Sequence, residues 1–315
     1  MKNICILGLG SIAKRVAIGI QYAKNARLYA VCSRSSKKAQ EFADQFLLPC
    51  FFTSFEELLE DNRIDVVYIC TPNQLHKEHI LSCLRHKKHV ICEKPMVLCT
   101  KDLIECFEEA KKNQCFLMEA HKCVFTPLNQ YIHKILQEGI IGKVHLIEAQ
   151  DADDLLVQKK EVPAWHFEKE GGGCLYDIGV YPIAYANFMA QSPIQKVQLM
   201  DHKMNDRFTA HAQANILYEN GIMAHIATSW VSKMENTAHI YGEKGSIHCH
   251  NFWKNTQALL VRNGQEEKIT VSMESDFTKE VEHAIECIEK GCIESNIMGF
   301  DASKQILKVI ESKDQ

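Results

Sequence analysis

No Cys-x-x-Cys pair occurs in the chain, although it holds fourteen cysteines. That absence removes zinc-knuckle and thioredoxin-like readings. A basic surplus is missing as well: 36 Lys and Arg against 40 Asp and Glu give a formal net charge of −4. A nucleic-acid binder needs excess cations to neutralise phosphates, so no nucleic-acid partner is expected. The longest apolar runs fall far short of a bilayer span, so no membrane association is expected. Met1-Lys2 and the apolar run behind it resemble the start of a secretory signal. Lys14-Arg15 and the lack of a small-residue cleavage site argue against one. Repeats, low-complexity tracts and a flexible linker are also absent.

What remains is an ordinary globular composition, 46% hydrophobic and 24% charged, with 315 residues, enough for two domains. Cys5, Cys32, Cys70 and Cys92 lie in or at the end of predicted apolar strands, where a thiol packs as a small hydrophobe. A disulfide framework would be odd in a chain with a full core, so a reducing cytoplasm is the expected location.

Gly8-Leu9-Gly10-Ser11-Ile12-Ala13 sits at a strand-to-helix junction, between an apolar run at residues 3–7 and a helix-like segment at 12–22. Gly8 permits a tight turn, Gly10 lets backbone approach a pyrophosphate, and Ala13 allows close helix packing. Ser11 and Ile12 open the helix, whose N-terminus offers N–H groups and a positive dipole end to phosphates.

Strand-like runs follow at 28–32, 66–70, 89–92 and 115–119, and helix-like segments at 37–46, 55–60, 75–85 and 101–112. Short apolar strands alternating with amphipathic helices predict an α/β, doubly wound parallel sheet with its ligand crevice beyond the strands' carboxyl ends. Thr126-Pro127 then opens a capped helix that ends near Gly139. The boundary is placed there, giving domains at 1–122 and 123–315. In the second, Phe208, Ala210, Ala212, Ala214, Ile216 and Tyr218 alternate with mostly polar neighbours, the mark of a half-buried strand. Asn220-Gly221, Lys244-Gly245 and Asn263-Gly264 signal hairpins. An α+β domain follows, with an open, mostly antiparallel sheet from about 143 to 272 and closing helices at 277–290 and 301–312.

Four segments near strand ends or loops carry candidate chemistry. After the second strand, Cys32-Ser33-Arg34-Ser35-Ser36-Lys37-Lys38 has no acid where an NAD-binding fold holds the ribose 2′-hydroxyl. Ser33, Arg34 and Lys38 instead suit a 2′-phosphate, favouring NADP with NAD possible. The alternative is a solvated helix start, with Ser35 or Ser36 only a cap. Thr71-Pro72-Asn73 also ends a strand, where a cofactor contact is plausible; Asn73 can cap the next helix. Glu93-Lys94-Pro95 sets a charged pair at the crevice mouth, where an ammonium could polarise a carbonyl or tune a proton carrier; the alternative is a surface ion pair.

The fourth segment runs from Gly171-Gly172-Gly173 to Asp177, Tyr181 and Pro182. Its glycines let the chain pass close to a ligand. Asp177 and Tyr181 share a face if the segment is helical, and Pro182 implies a bend or a new helix start. Tyr181 could exchange a proton with a substrate oxygen, and Asp177 could hold a hydroxyl; the alternative is a capped packing turn. The pairs His76/His79, His86/His89 and His248/His250 lack a third ligand, so no metal is expected.

These motifs, with His76 among them, occur in the order and approximate spacing of the Gfo/Idh/MocA oxidoreductase family, which the chain resembles over nearly its whole length. Met118-Glu119-Ala120 with Phe125 and Pro127 is most similar to its branch of dimeric dihydrodiol dehydrogenase and NADP-dependent xylose dehydrogenase. The resemblance implies an N-terminal Rossmann domain and a C-terminal open sheet used for self-association, here as a homodimer or homotetramer. It implies hydride exchange between nicotinamide and a carbinol carbon of a sugar, polyol or dihydrodiol. Lys94 is then the lysine of the Glu-Lys-Pro motif, Asp177 the family aspartate, and Tyr181 the proposed proton donor. The cofactor set it implies is Gly8, Gly10, Ser11, Ile12, Ser33, Arg34, Lys38, Thr71, Pro72, Asn73, His76, Glu93, Lys94 and Trp165. His166 stands where many members carry a cofactor-contacting arginine, Val124 where the dihydrodiol branch has arginine, and His121-Lys122-Cys123 is unusual there. The rival expectation is a non-catalytic regulator sensing NADPH or a sugar, which would need no proton carrier.

Overall fold

The computed structural model describes residues 1–312. Strand and helix alternate first: β1 (Lys2–Leu7), α1 (Ala13–Tyr22), β2 (Ala26–Cys32), α2 (Ser36–Phe46), β3 (Cys50–Phe52), α3 (Phe55–Glu60), β4 (Val66–Ile69), α4 (His76–Arg85), β5 (His89–Glu93), α5 (Thr100–Asn113) and β6 (Leu117–Ala120). Next come α6 (Lys122–Phe125), α7 (Pro127–Gln137), β7 (Val144–Ala152), α8 (Cys174–Asp177) and α9 (Val180–Ala190). The strands β8 (Ile194–Met204), β9 (Phe208–Tyr218), β10 (Met223–Ser229), β11 (Thr237–Gly242), β12 (Gly245–His250), β13 (Gln257–Arg262) and β14 (Gln265–Thr270) follow, then α10 (Thr278–Glu289) and α11 (Phe300–Glu311). None of these helices is long and apolar enough to cross a membrane.

The first six strands make a parallel sheet ordered β3-β2-β1-β4-β5-β6. Strands covered on both faces must be apolar throughout, and all of β4, Val-Val-Tyr-Ile, is buried. The order reverses between β1 and β4, which makes their carboxyl ends the switch point. β3 has no counterpart in the sequence expectations: its three half-buried residues form an edge too short for a periodic signal.

The chain divides into two compact units, residues 1–121 with 274–303, and 122–273 with 304–312. This corrects the expectation of one continuous second domain at 123–315. α10 carries the buried stripe Val281, Ala284, Ile285 and Ile288, and α1 accommodates the chain just before it at Gly19. A Cβ on Gly19 would lie 2.4 Å from Phe277 Cβ. Leu117 N–H donates to the Ile293 carbonyl at 3.0 Å, extending the pairing of β6 to this returning segment.

In the second unit, the Thr126 hydroxyl accepts the Asn129 N–H, Pro127 starts α7, and Gly139 follows its end at φ +69°. Eight strands form one sheet, β14-β13-β12-β11-β7-β10-β9-β8. The three hairpin turns fall where expected, joining β9 to β10, β11 to β12 and β13 to β14. The sheet is mixed at one pair: β7 runs parallel to β10 because it enters between two meanders. Ala210, Ala212, Ala214 and Ile216 are buried while Gln213 and Asn215 are exposed, so one sheet face is covered and the other open.

Candidate active site

In the first unit the expected dinucleotide residues stand at the carboxyl ends of β1, β2, β4 and β5. Gly8 has φ +95°, and a Cβ there would lie 2.9 Å from Thr71 Cγ2. A Cβ on Gly10 would meet one atom, the Cys70 carbonyl oxygen at 3.8 Å, so this turn leaves an open cradle that a side chain would fill. Ser11 and Ile12 lead into α1, whose N-cap Ile12 offers no side-chain cap. Such a helix start favours an anion.

After β2, Ser35 is the cap of α2 and accepts the Lys38 N–H at 3.4 Å, while the Ser33 hydroxyl accepts the Ser35 N–H at 3.3 Å. The Arg34 and Lys38 side chains stay exposed at the strand end.

After β4, buried His76 ties two loops together. Its Nε2 lies 2.7 Å from the Thr71 carbonyl oxygen and its Nδ1 3.0 Å from that of Pro95. Burial pushes its pKa down to about 4, so the ring is neutral and its single N–H serves one carbonyl at a time. Asn73 lies in a single 3₁₀ turn (Asn73–Leu75), and α4 starts with no side-chain cap, so the expected Asn73 cap does not form. His79 Nδ1 faces Thr71 Oγ1 at 3.0 Å. Among the described residues no group of three His, Cys, Asp or Glu could hold a metal ion.

These histidines give a pH dependence. Burial holds His76, His79 and His89 below their ordinary value. On acidification from pH 6.5 toward about 4, the unfolded chain takes up protons that the folded chain refuses. Stability is expected to fall across that window. Denaturation midpoints measured at several pH values should decline less steeply for His76→Gln; equal slopes would count against this assignment.

At the end of β5, Glu93 is buried; Lys94 follows half-buried, with a cis Lys94–Pro95 bond. Glu119, on neighbouring β6, is buried beside Cys92.

The second unit holds the other candidates. A Cβ on Gly172 would lie 2.3 Å from the Glu168 carbonyl oxygen. Gly173, at φ +92°, would bring one 2.7 Å from Thr209 N and O. Gly172 and Gly173 thus let the chain cross its own backbone. α8 ends at Asp177 and α9 begins at Val180, so Asp177 and Tyr181 lie on separate helices rather than on one helical face. Gly179 sits at the break, where a Cβ would lie 2.9 Å from Leu175 Cα. Pro182 falls in the first turn of α9, where its missing N–H costs little.

Tyr181 is buried, with its ring centroid 6.5 Å from that of Trp253 and 5.9 Å from Lys122 Nζ. Lys122 is itself buried, so a cation sits at the ring of the candidate proton carrier. Sequence reasoning singled out Lys122 only as unusual; a lysine opening an otherwise apolar helix, Lys-Cys-Val-Phe, was the available signal. Trp165 stands in a short 3₁₀ turn (Ala164–Phe167), stacked on His166 at 3.8 Å between centroids.

The strand order and the glycine turn define a class, proteins that pair a dinucleotide-binding Rossmann unit with an α+β unit. Residues 2–121 match the Gfo/Idh/MocA oxidoreductase family with its NAD-binding Rossmann fold, and residues 129–248 match the Gfo/Idh/MocA C-terminal domain. The chain belongs to the Gfo/Idh/MocA family and is an NAD(P)-dependent oxidoreductase acting on CH–OH groups. It is 29% identical to a trans-1,2-dihydrobenzene-1,2-diol dehydrogenase of Mus musculus, over 90% of this chain and 87% of that protein. The Xenopus tropicalis protein of the same name is 28% identical over 98% of this chain and 95% of its own. The fold matches the aldose–aldose oxidoreductase of Caulobacter crescentus with a TM-score of 0.90 at 23% identity, covering 99% of this chain and 96% of that one. A 3-ketoreductase from Actinomadura kijaniata matches with a TM-score of 0.87 at 22% identity, covering 99% and 97%.

Proposed function

We propose that the chain is an NADP(H)-dependent dehydrogenase or reductase acting on a carbinol carbon of a sugar, polyol or dihydrodiol. The observation that carries this is the loop set of the first unit: an open cradle at Gly10, an uncapped helix start, and the cations Arg34 and Lys38 beyond β2 where an NAD enzyme would have an acid. The named relatives that act on dihydrodiols support the substrate class.

The residues fit the dinucleotide. Gly8, Gly10, Ser11 and Ile12 would hold its pyrophosphate, and Ser33, Arg34 and Lys38 its 2′-phosphate. Thr71, Pro72, Asn73, His76, Glu93, Lys94 and Trp165 complete the set. When bound, the nicotinamide supplies or accepts the hydride. Tyr181 passes a proton between its phenol oxygen and the substrate oxygen. Lys94 eases that transfer or polarises the carbonyl, and Asp177 holds a substrate hydroxyl. We further propose a cytoplasmic homodimer or homotetramer formed through the open face of the second sheet, where Met200 and Met223 are exposed. Sedimentation velocity tests the assembly.

Consumption or release of NADPH absorbance over a panel of aldoses, polyols and dihydrodiols tests the reaction. Turnover with none of them, in either direction, would defeat the proposal. For the cofactor, Arg34→Ala should raise the KM for NADPH about tenfold, the loss of a charged hydrogen bond worth ~1.5 kcal/mol. The KM for NADH should hardly move. An equal change for both cofactors would take Arg34 off the 2′-phosphate.

A further inference from the structure

Three carboxyl groups are buried in the first unit around the loop that carries Lys94, and the proposed proton transfer uses none of them. Glu119 accepts the Met96 N–H at 3.1 Å, two residues beyond Lys94, and the Ser303 hydroxyl at 2.5 Å. Glu93 lies 3.1 Å from the Tyr68 hydroxyl, and Glu280 lies 2.7 Å from that same hydroxyl. Glu93 is 8% exposed, Glu119 3%, Ser303 2%, and Tyr68 and Glu280 are fully buried. Burying that many carboxyls costs several kcal/mol apiece unless each is bonded or neutralised.

Tyr68 braces two carboxyl groups at once, its hydroxyl facing Glu93 at 3.1 Å and Glu280 at 2.7 Å. Glu119 differs, because it accepts two donated hydrogen bonds and feels the Lys94 ammonium. Those are the partners of a carboxylate, although burial raises its pKa above the ordinary value.

Both supporting groups come from the returning segment, Glu280 on α10 and Ser303 at the start of α11. We propose that Glu119, fixed by Ser303, and Glu93, fixed through Tyr68 by Glu280, are positioning residues that hold the Lys94 loop in place. Glu119 anchors the backbone at Met96, and the Glu93–Tyr68–Glu280 chain is a hydrogen-bonded brace at the end of β5. Burial holds Cys70, Cys92 and Tyr68 protonated and His76 unprotonated.

This inference rests on the proposed role of Lys94, and the experiment separates the two. Steady-state turnover of the full-length enzyme is measured for the parent, Lys94→Ala, Glu119→Gln, Ser303→Ala and Ser303→Thr, with NADPH binding followed by fluorescence. Glu119→Gln keeps an acceptor for the Met96 N–H but weakens the charged anchor. It should lower kcat about tenfold with KM and NADPH affinity nearly unchanged, because the lysine is no longer held where it acts. Ser303→Ala should lower kcat by less, and Ser303→Thr should restore it. An unchanged kcat in both Glu119→Gln and Ser303→Ala, with Lys94→Ala inactive, overturns the positioning role and leaves Lys94 in place. An active Lys94→Ala overturns the role of the lysine itself. Where Glu119→Gln does not fold, the Ser303 pair decides by kcat.

Discussion

Replacing Tyr181 with phenylalanine should lower turnover by about two to four orders of magnitude, the range of a lost acid–base group. The substitution removes one oxygen and keeps the ring. Packing beside Trp253 and the Lys122 contact therefore persist, and the melting temperature and NADPH affinity should stay close to the parent's. The defect belongs in kcat, because the substrate still binds and only the proton has nowhere to go. Steady-state kinetics with matched dinucleotide titrations check this. Undiminished kcat would remove Tyr181 from proton transfer, and a loss explained by weaker NADPH binding would move it to the cofactor.

The largest effect on stability should come from Gly173→Ala. At φ +92° and ψ 163° the residue occupies a region open essentially to glycine, which costs roughly 1–3 kcal/mol for another residue. The added methyl would also lie 2.7 Å from Thr209 N and O. That neighbour is backbone of β9, pinned between β8 and β10, so it cannot step aside. Overpacking adds roughly 1–3 kcal/mol, and together about 3–5 kcal/mol is expected. All three tryptophans, Trp165, Trp230 and Trp253, lie in the second unit, so urea denaturation followed by tryptophan emission reports that unit directly. Gly221→Ala is the control: it shares a positive φ, +86°, but a Cβ there meets nothing within 4 Å. It should cost about 1 kcal/mol, the strain alone. Equal midpoints for the two variants would dismiss the backbone-crossing account.

Much of this was readable in advance, for identifiable reasons. Parallel strands such as Val66–Ile69 are apolar end to end because helices cover both faces, and that signal is local. Hairpins were marked by Asn-Gly pairs, and α7 by Thr126, Pro127 and Gly139, since turn and cap chemistry is written in adjacent residues. What the sequence did not reveal was non-local. Gly172 and Gly173 pass against Glu168 and Thr209 backbone. The break between Asp177 and Tyr181 depends on how closely Gly179 approaches Leu175. Lys122 beside Tyr181 joins residues far apart in the chain. Glu280 and Ser303 carried no motif at all, and their importance appears only when Tyr68 and Glu119 are seen beneath them.

The placement of residues 274–303 with the first unit has a consequence for biosynthesis. A ribosome delivers β1 to β6 early, but Phe277 and Thr278, which pack on α1 at Gly19, emerge only after the whole intervening unit has been made. The nascent nucleotide-binding half must wait with an apolar flank uncovered, so releasing a 1–122 fragment alone would yield a sticky, incomplete body rather than a working module.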